Sequence, residues 1–138
     1  MLLFVAGGAL YVLFRTRALL LFVLADKLGL SPFLGTIRAA FSHVHLPEFV
    51  VFSLPAGFWS GAYVMLMHGL FDRESHQKRL LWASVIPLIG TLSELMQAFR
   101  LLPGTFDVAD LACYVAPYAV YALILLNNKK TTIKSITS

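Results

Sequence analysis

Cysteine and charge are both scarce in this chain. A single cysteine, Cys113, in 138 residues excludes an internal disulfide framework and the paired cysteine spacings of zinc and redox sites. Charged residues make up 13% of the sequence, where an ordinary soluble domain carries about a quarter. So little charge removes a nucleic-acid module and a disordered tail from the candidates. There is no Gly-rich phosphate loop, and Cys113 has no base or triad beside it in sequence. No cofactor motif and no nucleophilic centre can therefore be assigned.

What is present is apolar. Hydrophobic residues account for 59% of the chain, and the mean hydropathy is +0.79. A core built from a chain of this length hides too small a share of its surface to absorb that excess, so a bilayer is the solvent that fits. The formal charge is +4, and the basic residues fall mainly between apolar runs, which points to orientation in a membrane rather than to an acidic partner. The opening run MLLFVAGGALYVLFRTR is apolar from its first residue. It lacks the charged region and small-residue end of a cleaved signal peptide and is expected to stay in the mature chain.

A spanning helix needs roughly 20 mostly apolar residues, because about 30 Å of hydrocarbon is crossed at about 1.5 Å per residue. Three segments qualify. Residues 46–71 carry no charge after Glu48, 80–102 carry only Glu94 and Arg100, and 108–126 carry only Asp110. A first segment, 2–14, is short and spans if Arg15 and Arg17 snorkel outward. The expected fold is an all-α membrane protein, a bundle of four transmembrane helices plus an interfacial or re-entrant segment over 18–45. The alternative is five crossings.

Charge bears on that choice. With 18–45 returning to its own side, the basic residues divide five against six and show no bias, Arg15, Arg17, Lys27, Arg38 and Arg100 against Arg73, Lys78, Arg79, Lys129, Lys130 and Lys134. A crossing moves Arg15 and Arg17 to the second group and gives a positive-inside bias with a cytoplasmic C-terminus. Against it stands the burial of Asp26 and Lys27. Residues 1–128 read as one helical membrane domain and 129–138 as a polar basic tail able to rest on anionic lipid.

Glu94 is the residue that calls for an explanation. It lies nine residues before Pro103, or about 13 Å along a helix. An acid at such a depth costs about 2.5–3.5 kcal/mol on insertion scales and is expected neutral or paired, facing the bundle interior. Gln97 shares its face, and Arg100 is near enough to the helix end to reach the interface. These three form either a ligand site or a structural clamp between helices, which needs no acid and is worth about 0.6–2 kcal/mol. Asp107 and Asp110 open the next helix in PGTFDVADL. Asp107 suits an N-cap, and Asp110 suits either the first turn or the site.

Ser53, Gly57 and Gly61 recur at intervals of four and read as a helix-packing stripe containing a GxxxG pair. Pro55, Pro87 and Pro117 are each expected to interrupt a spanning helix, two of them bordering a polar cavity at the depth of Glu94. His43, His45 and Glu48 share a loop but lack a fourth ligand, so no metal site is assigned. His68 and His76 read as interfacial.

The stretch SELMQAFRLLPGTFDVAD, residues 93–110, resembles the signature of the VanZ-like family of small bacterial membrane proteins. Glu94 and Gln97 sit on one helix of that pattern, and Phe106, Asp107 and Asp110 enter the next. Thr105 stands near the family's usual loop arginine, and Tyr114 and Pro117-Tyr118 replace its later Asn and Gly. The resemblance implies a cell-envelope role of the kind associated with low-level glycopeptide (teicoplanin) resistance, without a mechanism. SLPAGFW, residues 53–59, is similar to stretches of small membrane proteins without assigned chemistry.

The expected function is a non-enzymatic, multi-pass protein of the bacterial inner membrane. Its polar site, drawn from Glu94, Gln97, Arg100, Asp107 and Asp110, would bind a lipid headgroup or envelope precursor. Two alternatives stay open. One is an accessory subunit docked on a larger membrane complex through Ser53, Gly57 and Gly61. The other is a membrane-embedded hydrolase or transferase using Glu94. Membrane lipid is the expected partner, with no nucleic acid, metal or cofactor.

Overall fold

The structure is a computed structural model; it describes residues 1–14 and 20–136, with side chains for 1–14 and 22–127. Arg15 and Arg17, and the side chains of Lys129, Lys130 and Lys134, on which the charge comparison drew, lie outside what is described. Every regular element among the described residues is helical: α1 (Leu2–Phe14), α2 (Leu20–Lys27), α3 (Ser31–Ala40), α4 (Glu48–Phe52), α5 (Leu54–Leu70), α6 (His76–Ala83), α7 (Val85–Ala98) and α8 (Val108–Ile136).

Two of the expected spans are broken near their prolines. Residues 46–71 form α4 and α5, with Ser53 between them and Pro55 in the first turn of α5. Residues 80–102 belong to α6 and α7, which begin at His76, break at Ser84 and end at Ala98. A proline in a first turn replaces an N–H that has no intrahelical acceptor, so Pro55 and Pro87 begin helices rather than kinking them. Pro117 behaves differently from expectation, for α8 runs through it without a break. At 29 residues α8 is about 43 Å long, and its backbone continues past 126 into the segment read as a tail.

Among the described residues, two segments are long and apolar enough to cross a membrane, His76–Ala98 and Val108–Asn127. Alone, α1 with 13 residues and α5 with 17 reach about 20 Å and 26 Å, short of a full hydrocarbon core. The disputed stretch holds two short helices, α2 and α3, separated by Gly29 at φ +71°. Neither length crosses about 30 Å, and no single helix of a fifth crossing forms over the described part of 18–45. Asp26 and Lys27 are exposed, and Asp26 accepts a hydrogen bond from the Ser31 hydroxyl. Arg38 returns to α1, where its guanidinium donates to the Val12 carbonyl and lies 5.1 Å from the centre of the Phe22 ring.

The helices are assembled on the α5–α8 pair, with α1 packed against α5 and α7 against α8. Bare positions permit each approach. A Cβ on Gly57 would lie 3.3 Å from the Cys113 side chain, and one on Gly61 would lie 3.6 Å from Pro117. Gly7 of α1 lies under the Trp59 indole, and the Tyr11 and Trp59 rings are 5.3 Å apart. Gly90 of α7 takes the Tyr114 ring directly, so that an added Cβ would overlap it.

The far end of α5 is tied to α6 and α8 by polar contacts. Arg79 donates to His68 Nδ1 at 2.6 Å and pairs with Asp72 at 3.4 Å. Tyr63 donates its hydroxyl to the Trp82 carbonyl at 2.8 Å, and Trp82 stacks on Phe71.

These packings predict the outcome of one pair of substitutions. Gly90→Val should force Tyr114 from its seat and destabilise the protein by about 1–3 kcal/mol, read as a lowered unfolding midpoint in detergent. Gly69→Val, at an exposed position with nothing near an added Cβ, should change the midpoint little.

Candidate functional site: the junction of α7 and α8

The last turns of α7 face the connection to α8 and the first turn of α8 itself. Pro87, Gly90 and Glu94 are the buried residues of α7, spaced so that they share one side of the helix. The bare Gly90 lets α7 and α8 close up, and Glu94, one turn on, meets the start of α8. Glu94 is 5% exposed, and its Oε2 accepts the Asp107 backbone N–H at 3.3 Å. Asp107 Oδ1 in turn accepts the Ala109 N–H at 2.8 Å, an N-capping contact that serves one of the amides a helix start leaves without a partner.

Asp110 lies in the first turn of α8, half-buried, and its Oδ1 is shut off from solvent with no donor among the described residues. Asp107 and Asp110 both stand within electrostatic reach of Glu94. Three carboxyl groups therefore converge where α7 hands over to α8. One of them holds a backbone amide, one caps the helix, and one retains a buried oxygen that takes no bond.

Gln97 and Arg100 part company with this group. The Gln97 side chain lies over the connection, with its Oε1 2.6 Å from where a Cβ on Gly104 would sit. Gly104 has φ +140°, a conformation that side chains rarely adopt and that here also leaves room for Gln97. Glu94 and Gln97 thus both meet the second half of the same short connection, at Asp107 and Gly104. Arg100 is exposed, at φ +57° just beyond the helix end. It does not join a clamp with Glu94, because α7 stops at Ala98 and the chain turns away.

The expected polar cavity bordered by broken helices takes another form. A cleft of about 740 Å³ opens among α1, α5, α7 and α8, with Phe4, Trp59, Leu66, Ile89 and Tyr114 in its walls. Its lining is apolar and includes neither Glu94 nor Asp110. Ser93 of α7 and Tyr114 of α8 are its lining residues nearest the carboxyl groups in the chain, one residue before Glu94 and four after Asp110. Ser53, Gly57 and Gly61 lie inside the fold; Ser53 and Gly61 are buried, and Gly57 and Gly61 are taken up by Cys113 and Pro117 of α8. Of the loop histidines, His43 and His45 are exposed and meet only through His45 Nδ1 and the His43 carbonyl at 3.2 Å. No group of three metal-ligating side chains forms among the described residues.

Three residues that shape the junction were not singled out in the sequence. Ser60 is fully buried and donates its hydroxyl to the Tyr114 carbonyl at 2.8 Å, in the turn that Pro117 leaves one N–H short. Its place beside Gly61 on the small-residue stripe was the available signal. Gly90 precedes Glu94 by one turn, so the same face that made Glu94 conspicuous pointed to it. Tyr114 carried no such mark.

The chain matches no known protein family, no curated protein and no solved structure. The likeness to VanZ-like proteins therefore rests on residues 93–110 alone.

The capping geometry separates two roles for Asp107. Asp107→Asn keeps a capping oxygen and should leave stability within a few tenths of a kcal/mol, whereas Asp107→Ala should cost about 1 kcal/mol. Unfolding in detergent, followed by circular dichroism, measures both.

Proposed function

We propose that this chain is a non-enzymatic, multi-pass protein of the bacterial inner membrane. In this reading its α7–α8 junction binds the polar end of a lipid or envelope precursor through Glu94, Asp107 and Asp110. The observation that carries the site is Asp110 Oδ1, a carboxylate oxygen closed off from solvent without a donor among the described residues. A buried acceptor left unbonded loses its hydration without compensation, and native structures rarely leave one so. A hydrogen-bond donor from a ligand supplies what the fold does not.

The chemistry of the junction selects among headgroups. Three carboxyl groups with Arg100 turned away offer acceptors and negative charge, which suit an ammonium or a row of hydroxyls and repel a bare phosphate. The membrane reading draws support from the exposure of α8, whose apolar stretch Val108–Asn127 is only 6% buried. A core helix of a soluble protein would be mostly covered. Among the described residues the buried hydrophobic side chains are few, namely Phe22, Ala25, Val51, Val64, Ala83 and Leu125, while leucines, isoleucines and phenylalanines on every long helix stand exposed. In water such a surface would drive association. In lipid it is the ordinary exterior. The shorter α1 and α5 would complete a bundle of four, with α2 and α3 at the interface.

Glu94 tests the site. Glu94→Gln keeps the shape and the acceptor for the Asp107 amide but removes the charge, whereas Glu94→Leu removes the contact as well. A binding site should lose function with both. Retention by Glu94→Gln of binding to vesicles containing an amine-headgroup lipid, with Glu94→Leu merely less stable, would reduce Glu94 to a clamp on the connection.

A further inference from the structure

The cleft among α1, α5, α7 and α8 is separate from the carboxyl groups, and its chemistry differs from theirs. We infer that it seats a single alkyl chain of a membrane lipid, entering from the side between α5 and α7. This rests on the membrane reading above but not on the Glu94 site.

Three observations narrow the occupant. The first is that two of the hydroxyls in its walls, those of Ser60 and Tyr63, are already committed. Ser60 donates to the Tyr114 carbonyl and Tyr63 to the Trp82 carbonyl, each at 2.8 Å, and the Trp59 Nε1 is turned in against Gly7 of α1. A polar ligand would find those donors spent or facing away, whereas an alkyl chain asks for none. The second is size. A helix about 10 Å across has a cross-section of roughly 80 Å², so a cleft of about 740 Å³ would take about 9 Å of it, or about six residues. That is too little to seat a spanning helix of a partner, yet it lies within the roughly 300–1,000 Å³ of small-molecule sites. The third is position. Ile86, Ile89 and Ser93 put one wall on α7, in the segment His76–Ala98 that is long enough to span, and exposed Phe4, Leu66 and Ile89 carry the apolar surface from the cleft to the outside. At that level of a bilayer, alkyl chains are the surrounding medium.

The two tryptophans of the chain make the inference measurable. Trp59 lines the cleft, and Trp82 lies outside it, 45% exposed on α6. Protein with Trp82→Phe reports Trp59 alone, and protein with Trp59→Phe reports Trp82 alone. Each is placed in phosphatidylcholine vesicles with and without bromine on the acyl chains, which quenches indole emission on contact. Trp59 should lose most of its emission in brominated lipid. Adding Ala62→Phe or Ser93→Phe, each of which fills the cleft from a different helix, should restore most of that loss and leave the quenching of Trp82 unchanged. Circular dichroism on both filled variants confirms that the helices persist, and either variant suffices. Quenching of Trp82 without quenching of Trp59, or quenching of Trp59 that filling does not relieve, overturns the alkyl-chain site while leaving the membrane reading intact. Protection of Trp59 in a protein that cross-links as a dimer assigns the cleft to a second copy and overturns it as well. Failure to quench either tryptophan removes the membrane reading and this inference with it.

Discussion

The close approach of α5 and α8 is what the other helices depend on. Gly57 lies against Cys113, Gly61 against Pro117, and between them the Ser60 hydroxyl bonds the Tyr114 carbonyl. Pro117 supplies no amide to the turn before it, and the opposite helix presents hydrogen-sized side chains and one hydroxyl at that level. Where no water competes, a buried serine and a bare stripe are a compact way to bring two backbones together. Once the pair is set, α1 lies along α5 and α7 along α8. The Tyr114 ring then does two things, filling the place left by Gly90 and lining the apolar cleft.

That arrangement explains why polar and apolar functions fall on different sides of one helix. Along α7, Glu94 is buried against the start of α8, Ile86, Ile89 and Ser93 line the cleft, and Gly90 both takes the Tyr114 ring and lines the cleft. The rotation of about 100° between neighbouring residues puts Ser93 and Glu94 in different chemical surroundings. A carboxyl junction at the end of the hairpin and an alkyl-lined cleft beside it are thus consequences of one short segment read in two directions.

Much of this was legible in the sequence, though unevenly. The bounds of α1, the start of α8 and the all-helical character follow from apolar runs and from the aspartates at the α8 start. The inward turn of Glu94 follows from the cost of facing it outward. The breaks at Ser53 and Ser84 were harder to see, because hydropathy does not register where a continuous apolar run changes helix. Proline was the cue: the spans do break just before Pro55 and Pro87, which stand in the first turns of the helices that follow, whereas Pro117 is carried inside a helix. Arg100 was placed with Glu94 on spacing alone, and spacing fails once the helix ends two residues earlier. The apolar nature of the cleft was not visible at all, since its walls come from four helices far apart in the chain.

The central claim is that the exposed apolar faces of α7 and α8 meet lipid while the connection between them meets water. The most direct test places nitroxide labels, one at a time, at Leu92, Ile124 and Thr105 in a Cys113→Ser background. Their accessibility to oxygen and to a water-soluble nickel chelate is then measured in lipid vesicles. Leu92 and Ile124 are more than half exposed, and the account predicts that labels there collide with oxygen and are hidden from nickel, while the label at Thr105 shows the reverse. Nickel access at Leu92 and Ile124 equal to that at Thr105 would contradict it.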